Sequence, residues 1–139
     1  MEESNYCSLE VSKKLVDAGI NINTENHWCH WDNGEWTLGN GIMETPREFI
    51  PAPTFAEIWV ELPAELVNVH KKERLFLEVW KNGDLFVCCY DNDIDEKWRG
   101  VQKHKNPADA VAELLIWLKE QNYERIKNTL IDRTNKLKW

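Results

Sequence analysis

An Asn-Gly dipeptide set between two apolar runs constrains this chain more than any other feature. Leu75 to Trp80 and Leu85 to Tyr90 flank Asn82-Gly83, the pair favoured by a two-residue type I′ turn because both central residues take positive φ. The turn predicts a hairpin that pairs Lys81 with Asp84 and Val79 with Phe86. One face then collects Leu75, Leu77, Val79, Phe86, Cys88 and Tyr90. The other collects Phe76, Glu78, Trp80, Leu85, Val87 and Cys89. Apolar residues on both faces imply a sheet covered on both sides.

A second such pair, Asn33-Gly34, lies inside His27 to Leu38 and predicts another hairpin. Counting outward pairs Asp32 with Glu35, Trp31 with Trp36, His30 with Thr37 and Cys29 with Leu38. Trp31 and Trp36 would then meet across the strands, a contact contributing up to about 1 kcal/mol over an alanine pair. Trp98 to Lys103 is a candidate fifth strand.

Three helices accompany these hairpins. Ser8 can cap Leu9 to Ala18, with Leu15 and Val16 facing inward, Gly19 closing the helix and Ile20 folding back on it. Pro46 to Pro53 is an extended connector, since three prolines forbid a regular helix. It ends at Thr54 and Glu57, whose spacing forms a capping box. A short helix follows, with Phe55, Ile58, Trp59 and Leu62 inward, and Pro63 stops it. Asn106 then caps the longest helix, with Pro107 at its first position. Val111, Leu114, Leu115 and Leu118 form its apolar stripe against Asp109, Glu113 and Glu120. Ile116 falls among the acidic residues and reads as a tolerated surface residue or, with Trp117 at the stripe's edge, as a subunit or partner contact.

The 139 residues suit one domain, long enough to bury about two-thirds of the surface exposed on unfolding. Four cysteines without paired spacing, and no apolar leader, point to a reduced, cytoplasmic protein. No apolar stretch approaches the roughly 20 residues that cross a bilayer. The net charge of −7 argues against broad binding to nucleic-acid phosphates. It is uneven, because Lys119 to Trp139 carry six basic and three acidic residues and the remaining 118 residues carry −10. Arg125 to Lys136 is a polar helical candidate with Ile126, Leu130 and Leu137 on a narrow apolar edge, so residues 122–139 read as a C-terminal helical extension that either continues the preceding helix or packs separately.

Most chemistry-bearing clusters fail on geometry. His27-Trp28-Cys29-His30 mixes two zinc ligand types, but alternation on a strand sends His27 and Cys29 one way and His30 the other. Cys88 and Cys89 likewise face opposite layers and read as small hydrophobes. Asp91, Asp93 and Asp95 begin like a calcium loop, yet Glu96 occupies its glycine position and Gln102 its final glutamate position. Gly39-Asn40-Gly41 lacks the rest of a phosphate cradle and reads as a turn. No nucleophile elbow is present. The reading therefore assigns no catalytic residue, no metal and no cofactor. The eight tryptophans remain. Trp59, Trp80 and Trp117 suit core or core-edge positions, whereas Trp28, beside His30, and Trp98, after the acidic turn, suit an interface.

Asn106 to Leu118, together with Ile50 to Glu57 and Leu9 to Leu15, resembles small proteins encoded by phages and prophages that form an α-β-α sandwich family. The resemblance spans most of residues 8–121 and rests on caps and core positions. It implies architecture and no active site. The expectation is one α+β domain over residues 1–139, with a mainly antiparallel sheet of two hairpins, four or five strands, and about three flanking helices. Its leading functional reading is a non-enzymatic protein-interaction module with a protein partner or a second copy of itself. Trp28, His30, Trp98, Ile116 and Trp117 are the candidate surface. Nucleic-acid binding through the basic tail, or an unrecognised enzyme or small-ligand module, are the alternatives.

Overall fold

The computed structural model describes residues 5–40, 48–68, 73–92 and 98–121. Its helices are α1 (Leu9–Asp17), α2 (Phe55–Trp59) and α3 (Pro107–Glu120). Its strands are β1 (Asn26–His30), β2 (Trp36–Asn40), β3 (Glu48–Pro51), β4 (Glu65–Asn68), β5 (Glu73–Asn82), β6 (Leu85–Asp91) and β7 (Trp98–His104). The α+β class, the antiparallel pairing and the three helices are present. The two hairpins, however, lie in separate antiparallel sheets, ordered β2-β1-β3 and β4-β5-β6-β7. The proline-flanked connector supplies β3, and Gly39 and Asn40 belong to β2 rather than to a turn.

All three helices begin as their cap residues dictate. Ser8 Oγ accepts from Val11 N–H, Asn106 Oδ1 from Ala108 and Asp109 N–H, and Thr54 and Glu57 close both halves of their capping box. The three N-termini meet at one extended segment. Tyr6 bridges Thr54, Cys7 N–H donates to Pro53 C=O, and Asn106 Nδ2 donates to Tyr6 C=O. Ser8 N–H donates to Asp109 Oδ1 at 2.7 Å. These bonds give polar groups of the buried segment partners, as burial requires.

Both turns slip from the expected register. In the β1–β2 hairpin, Gly34 N–H donates to Trp31 C=O and Trp31 N–H to Glu35 C=O, enclosing a three-residue loop with Gly34 at φ 87°. This is a turn closed by a left-handed glycine, the commonest alternative to a two-residue loop. The odd slip changes faces, so His30 stands opposite Trp36 and Cys29 opposite Thr37, and Trp31 and Trp36 do not pair. In the β5–β6 hairpin the turn residues are Gly83 and Asp84, giving Lys81↔Phe86 and Val79↔Cys88. This slip is even, so the two predicted faces keep their membership.

The inner face of the four-stranded sheet packs on helices. Cys88 Sγ donates to Ala110 C=O, Phe86 meets Phe55 edge-on, and Tyr90 Oη donates to Pro63 C=O at 2.7 Å. Contacts run from β6 and β7 to α3, from α3 to α2 and α1, and from α1 to β3. The helices therefore stand between the two sheets. On the outer face of the four-stranded sheet Trp80 of β5 and Trp98 of β7 reach across β6 to a ring separation of 5.3 Å. On this face Val87 and Cys89 are fully buried, whereas Trp98 is 57% exposed, so the expected covering of both sheet faces is seen only in part.

The central place of α3 overturns the reading of Ile116. Ala110, Val111, Ala112, Leu114, Ile116 and Leu118 are all buried, and so is Asp109. Neighbours on several sides remove the polar face that a surface helix would have. Val16 is corrected in the opposite direction, being 50% exposed where an inward position was expected. Among the described residues no helix is long and apolar enough to cross a membrane. The expected extension over 122–139 and the acidic turn at Asp93 and Asp95 lie outside the described residues.

Candidate interaction surface

Helix α1 and edge strand β3 frame an open groove of about 580 Å³, lined by Lys13, Val16, Asp17, Ile20, Glu48 and Phe49 among others. Val16 and Phe49 are 50% and 53% exposed. Strand alternation explains Phe49, because its neighbour Ile50 is buried toward α1 while Phe49 turns outward. Neither residue was singled out by sequence. Val16 was hidden by a helix period that placed it inward, and Phe49 by prolines that disguised a strand.

Around this groove lies a layered ring cluster. His30 stacks on Trp36 with centroids 4.5 Å apart, and the Lys13 ammonium sits 5.0 Å from the Trp36 ring. His30 Nδ1 stands 3.9 Å from Glu48 Oε2. Trp28 shares this face of the sheet, but its Nε1 donates to Cys7 C=O at 2.8 Å, which makes it a tie between the sheet and the cap segment.

A second hollow, about 470 Å³, is bounded by Lys14, Asp17, Gln102, Glu113, Ile116 and Trp117. Lys14 pairs with Glu113 at 3.3 Å across it. Asp17 lines both hollows, so the C-terminal turn of α1 separates them. Trp117 is held on its other side by β7, where a Cβ at Gly100 would lie 2.6 Å from the indole.

The five sequence candidates therefore do not converge. His30 borders the α1–β3 groove through Glu48, Ile116 and Trp117 line the second hollow, and Trp98 lies on the outer face of the other sheet. Trp98 is 57% exposed.

None of the four cysteine thiols is activated. Burial pushes Cys88 up to about 12, and burial followed by the charges of Glu78 and Asp91 pushes Cys89 up to about 11. Cys7 is raised further by burial and by Asp109, Glu113 and Glu57, while burial alone raises Cys29. All four thiols are free and buried. Thiolate chemistry needs the opposite shift. Among the described residues no group of three or more His, Cys, Asp or Glu side chains could hold a metal.

Compared with known protein families, curated proteins and solved structures, this chain matches none.

Proposed function

We propose that this chain is a protein-interaction module that receives a partner's apolar side chains in the groove between α1 and β3. The observation that carries the reading is the half-exposed Val16 on the α1 wall of this groove, with the half-exposed Phe49 at its β3 rim, on the opposite face of the strand from Ile50. Two large apolar side chains left half in water, one in the groove and one at its rim, supply apolar area for an interface, and Lys13, Asp17 and Glu48 supply polar surroundings. The stacked His30–Trp36 pair stiffens the neighbouring wall, limiting the ordering cost of association. A phage or prophage setting is part of this proposal and rests on the resemblance of residues 9–15, 50–57 and 106–118 alone.

The test uses the full chain and its Val16→Glu and Phe49→Glu variants as baits in the source cell's extract, beside their thermal melting curves. The reading expects a partner retained by the parent chain and lost from both variants at unchanged melting temperature. Absence of any reproducible partner, alongside a metabolite-induced thermal shift, would replace it with a small-ligand or enzymatic role.

A further inference from the structure

We propose that the partner enters the α1–β3 groove as an extended segment of apolar-apolar-basic sequence and joins the three-stranded sheet as a further strand along β3, a step that rests on the interaction reading of this groove.

The backbone of β3 supplies the template. In the order β2-β1-β3 it is an edge strand, hydrogen-bonded to β1 alone among the described strands. Ala52 N–H donates to Asn26 C=O, which fixes the phase of the ladder. By antiparallel alternation Ile50 bonds Trp28 and Glu48 bonds His30 within the sheet. The N–H and C=O of Phe49 and the C=O of Pro51 therefore point away from β1. Neither backbone group of Phe49 has a hydrogen-bond partner among the described residues. Such an edge is what an added strand pairs with. Pro51 fits it, since the donor that proline lacks falls on the open side.

Helix α1 supplies the second wall. Lys13 reaches the Trp36 ring, in the cross-strand row that ends at Glu48, whereas Asn21, just past the helix, shares a hollow with Pro51. The helix thus runs alongside β3 in the same direction. Val16 lies between these ends and faces the groove.

Cross-strand pairing then dictates the side chains of the occupant. Added antiparallel and read from its N-terminus, the segment sets successive residues opposite Ile50, Phe49 and Glu48. The first lies in the groove with Ile50 and Val16 and is apolar. The second lies on the other face beside the half-exposed Phe49 and is apolar too. The third meets Glu48, the charged side chain of the described edge strand, which is 58% exposed with His30 Nδ1 at 3.9 Å, and is basic. Asp17 adds a carboxylate to the groove. Of the nearby cations, Lys13 holds its ammonium 5.0 Å from Trp36, two strands or about 10 Å in from the open edge. Lys119 Nζ stands by Gly19 at the C-terminal end of α1, toward Pro51 and away from Glu48.

A second copy of the chain fits this edge less well. Two-fold pairing centred on Phe49 sets each Glu48 against the other chain's Ile50, a carboxylate against an apolar neighbour. Shifting the register to bring Phe49 against Pro51 forfeits the donors that proline lacks. Both chains also carry −7.

The experiment titrates acetyl-Thr-Val-Val-Arg-Thr-amide into the isotope-enriched full chain and follows amide signals and their hydrogen exchange by NMR. The first Val stands opposite Ile50, the second opposite Phe49 and the Arg opposite Glu48. At saturating peptide the exchange of Phe49 N–H slows about tenfold or more, while Ile50 N–H, already bonded to β1, keeps its rate. N-methylation of the second Val removes the donor to Phe49 C=O and weakens binding about tenfold. The same change on the first Val, whose N–H points away from β3, leaves binding nearly unaltered. Glu48→Lys turns the preference from the Arg peptide to its Glu counterpart. Equal loss from both N-methyl peptides, an unchanged Phe49 exchange rate, or no binding up to millimolar peptide overturns the proposal. So does protection of Phe49 N–H in the chain alone, and dependence of that protection on chain concentration assigns the edge to a second copy. A partner that is lost from Val16→Glu yet leaves Phe49 exchange unchanged keeps the groove as an interface and removes only the added strand.

Discussion

The backbone N–H of Ser8 donates to the carboxylate of Asp109 across 2.7 Å, joining the cap of α1 to the first turn of α3. Burial raises the Asp109 pKa above its ordinary 3.8 despite this bond and the nearby His104. The folded state thus holds the proton more tightly than the unfolded chain, and stability falls as pH rises from the ordinary aspartate range through the raised folded value. Asp109→Asn keeps an acceptor for Ser8 and removes the ionisation. Its urea-unfolding free energy should therefore lose less than that of the parent chain across this window. Asp109→Ala leaves the Ser8 N–H unsatisfied and should cost about 1–3 kcal/mol at any pH.

Gly100 should be intolerant of substitution for two separable reasons. Its φ of 68° disfavours any side chain, and a Cβ would lie 2.6 Å from Trp117. Gly100→Ala should cost about 2–4 kcal/mol in chemical denaturation, backbone strain and overpacking together. Gly34→Ala shares only the positive φ, with open space around it, and should cost about 1–2 kcal/mol. Combining Gly100→Ala with Trp117→Leu should recover the clash component alone, giving a non-additive double-mutant cycle.

Adjacent positions in β3 should behave oppositely. Ile50 is 8% exposed and Phe49 is 53% exposed. Ile50→Ala should lower the unfolding free energy by about 2–5 kcal/mol, as buried aliphatic truncations do. Phe49→Ala should stay within about 1 kcal/mol of the parent, which lets an effect on partner binding be read without unfolding.

Thiol labelling offers a fast check on the core. With Cys88 near 12 and Cys89 near 11, a disulfide reagent at pH 8 should react negligibly with the native chain. Four thiols should appear once denaturant is added. Rapid native labelling of one thiol would show that its burial is wrong.

Local signals carried far in this chain and distant ones did not. Ser8, Thr54, Glu57 and Asn106 each act through a hydrogen bond reaching three residues or fewer along the chain, so their cap roles were legible from spacing alone. The Asn-Gly pairs marked two real hairpins but not their loop lengths. In both, the glycine holds the positive φ that the turn needs, and the asparagine is not bound to the place assigned to it. Register then depends on packing across the sheet. Ile116 was misread because helical periodicity separates faces by polarity, whereas α3 is enclosed by a sheet and two other helices. Asp109 sits on the face called polar and is buried, its charge answered by Ser8 from 101 residues away. The α1–β3 groove was illegible for a related reason, being made by two elements that no local pattern connects.

The meander described above also orders events in time. Strands β4, β5, β6 and β7 are neighbours in sequence as in space, and α3 follows directly. These short loops close early, at little entropic cost. The hydrogen bonds of Tyr6, Cys7 and Ser8 span 100 residues or more to Asn106, Ala108 and Asp109, so their loop-closure cost is expected to place them late in folding. During synthesis the first helix therefore emerges long before its anchor exists. The N-terminal segment is the last stitch in a fabric woven from the other end.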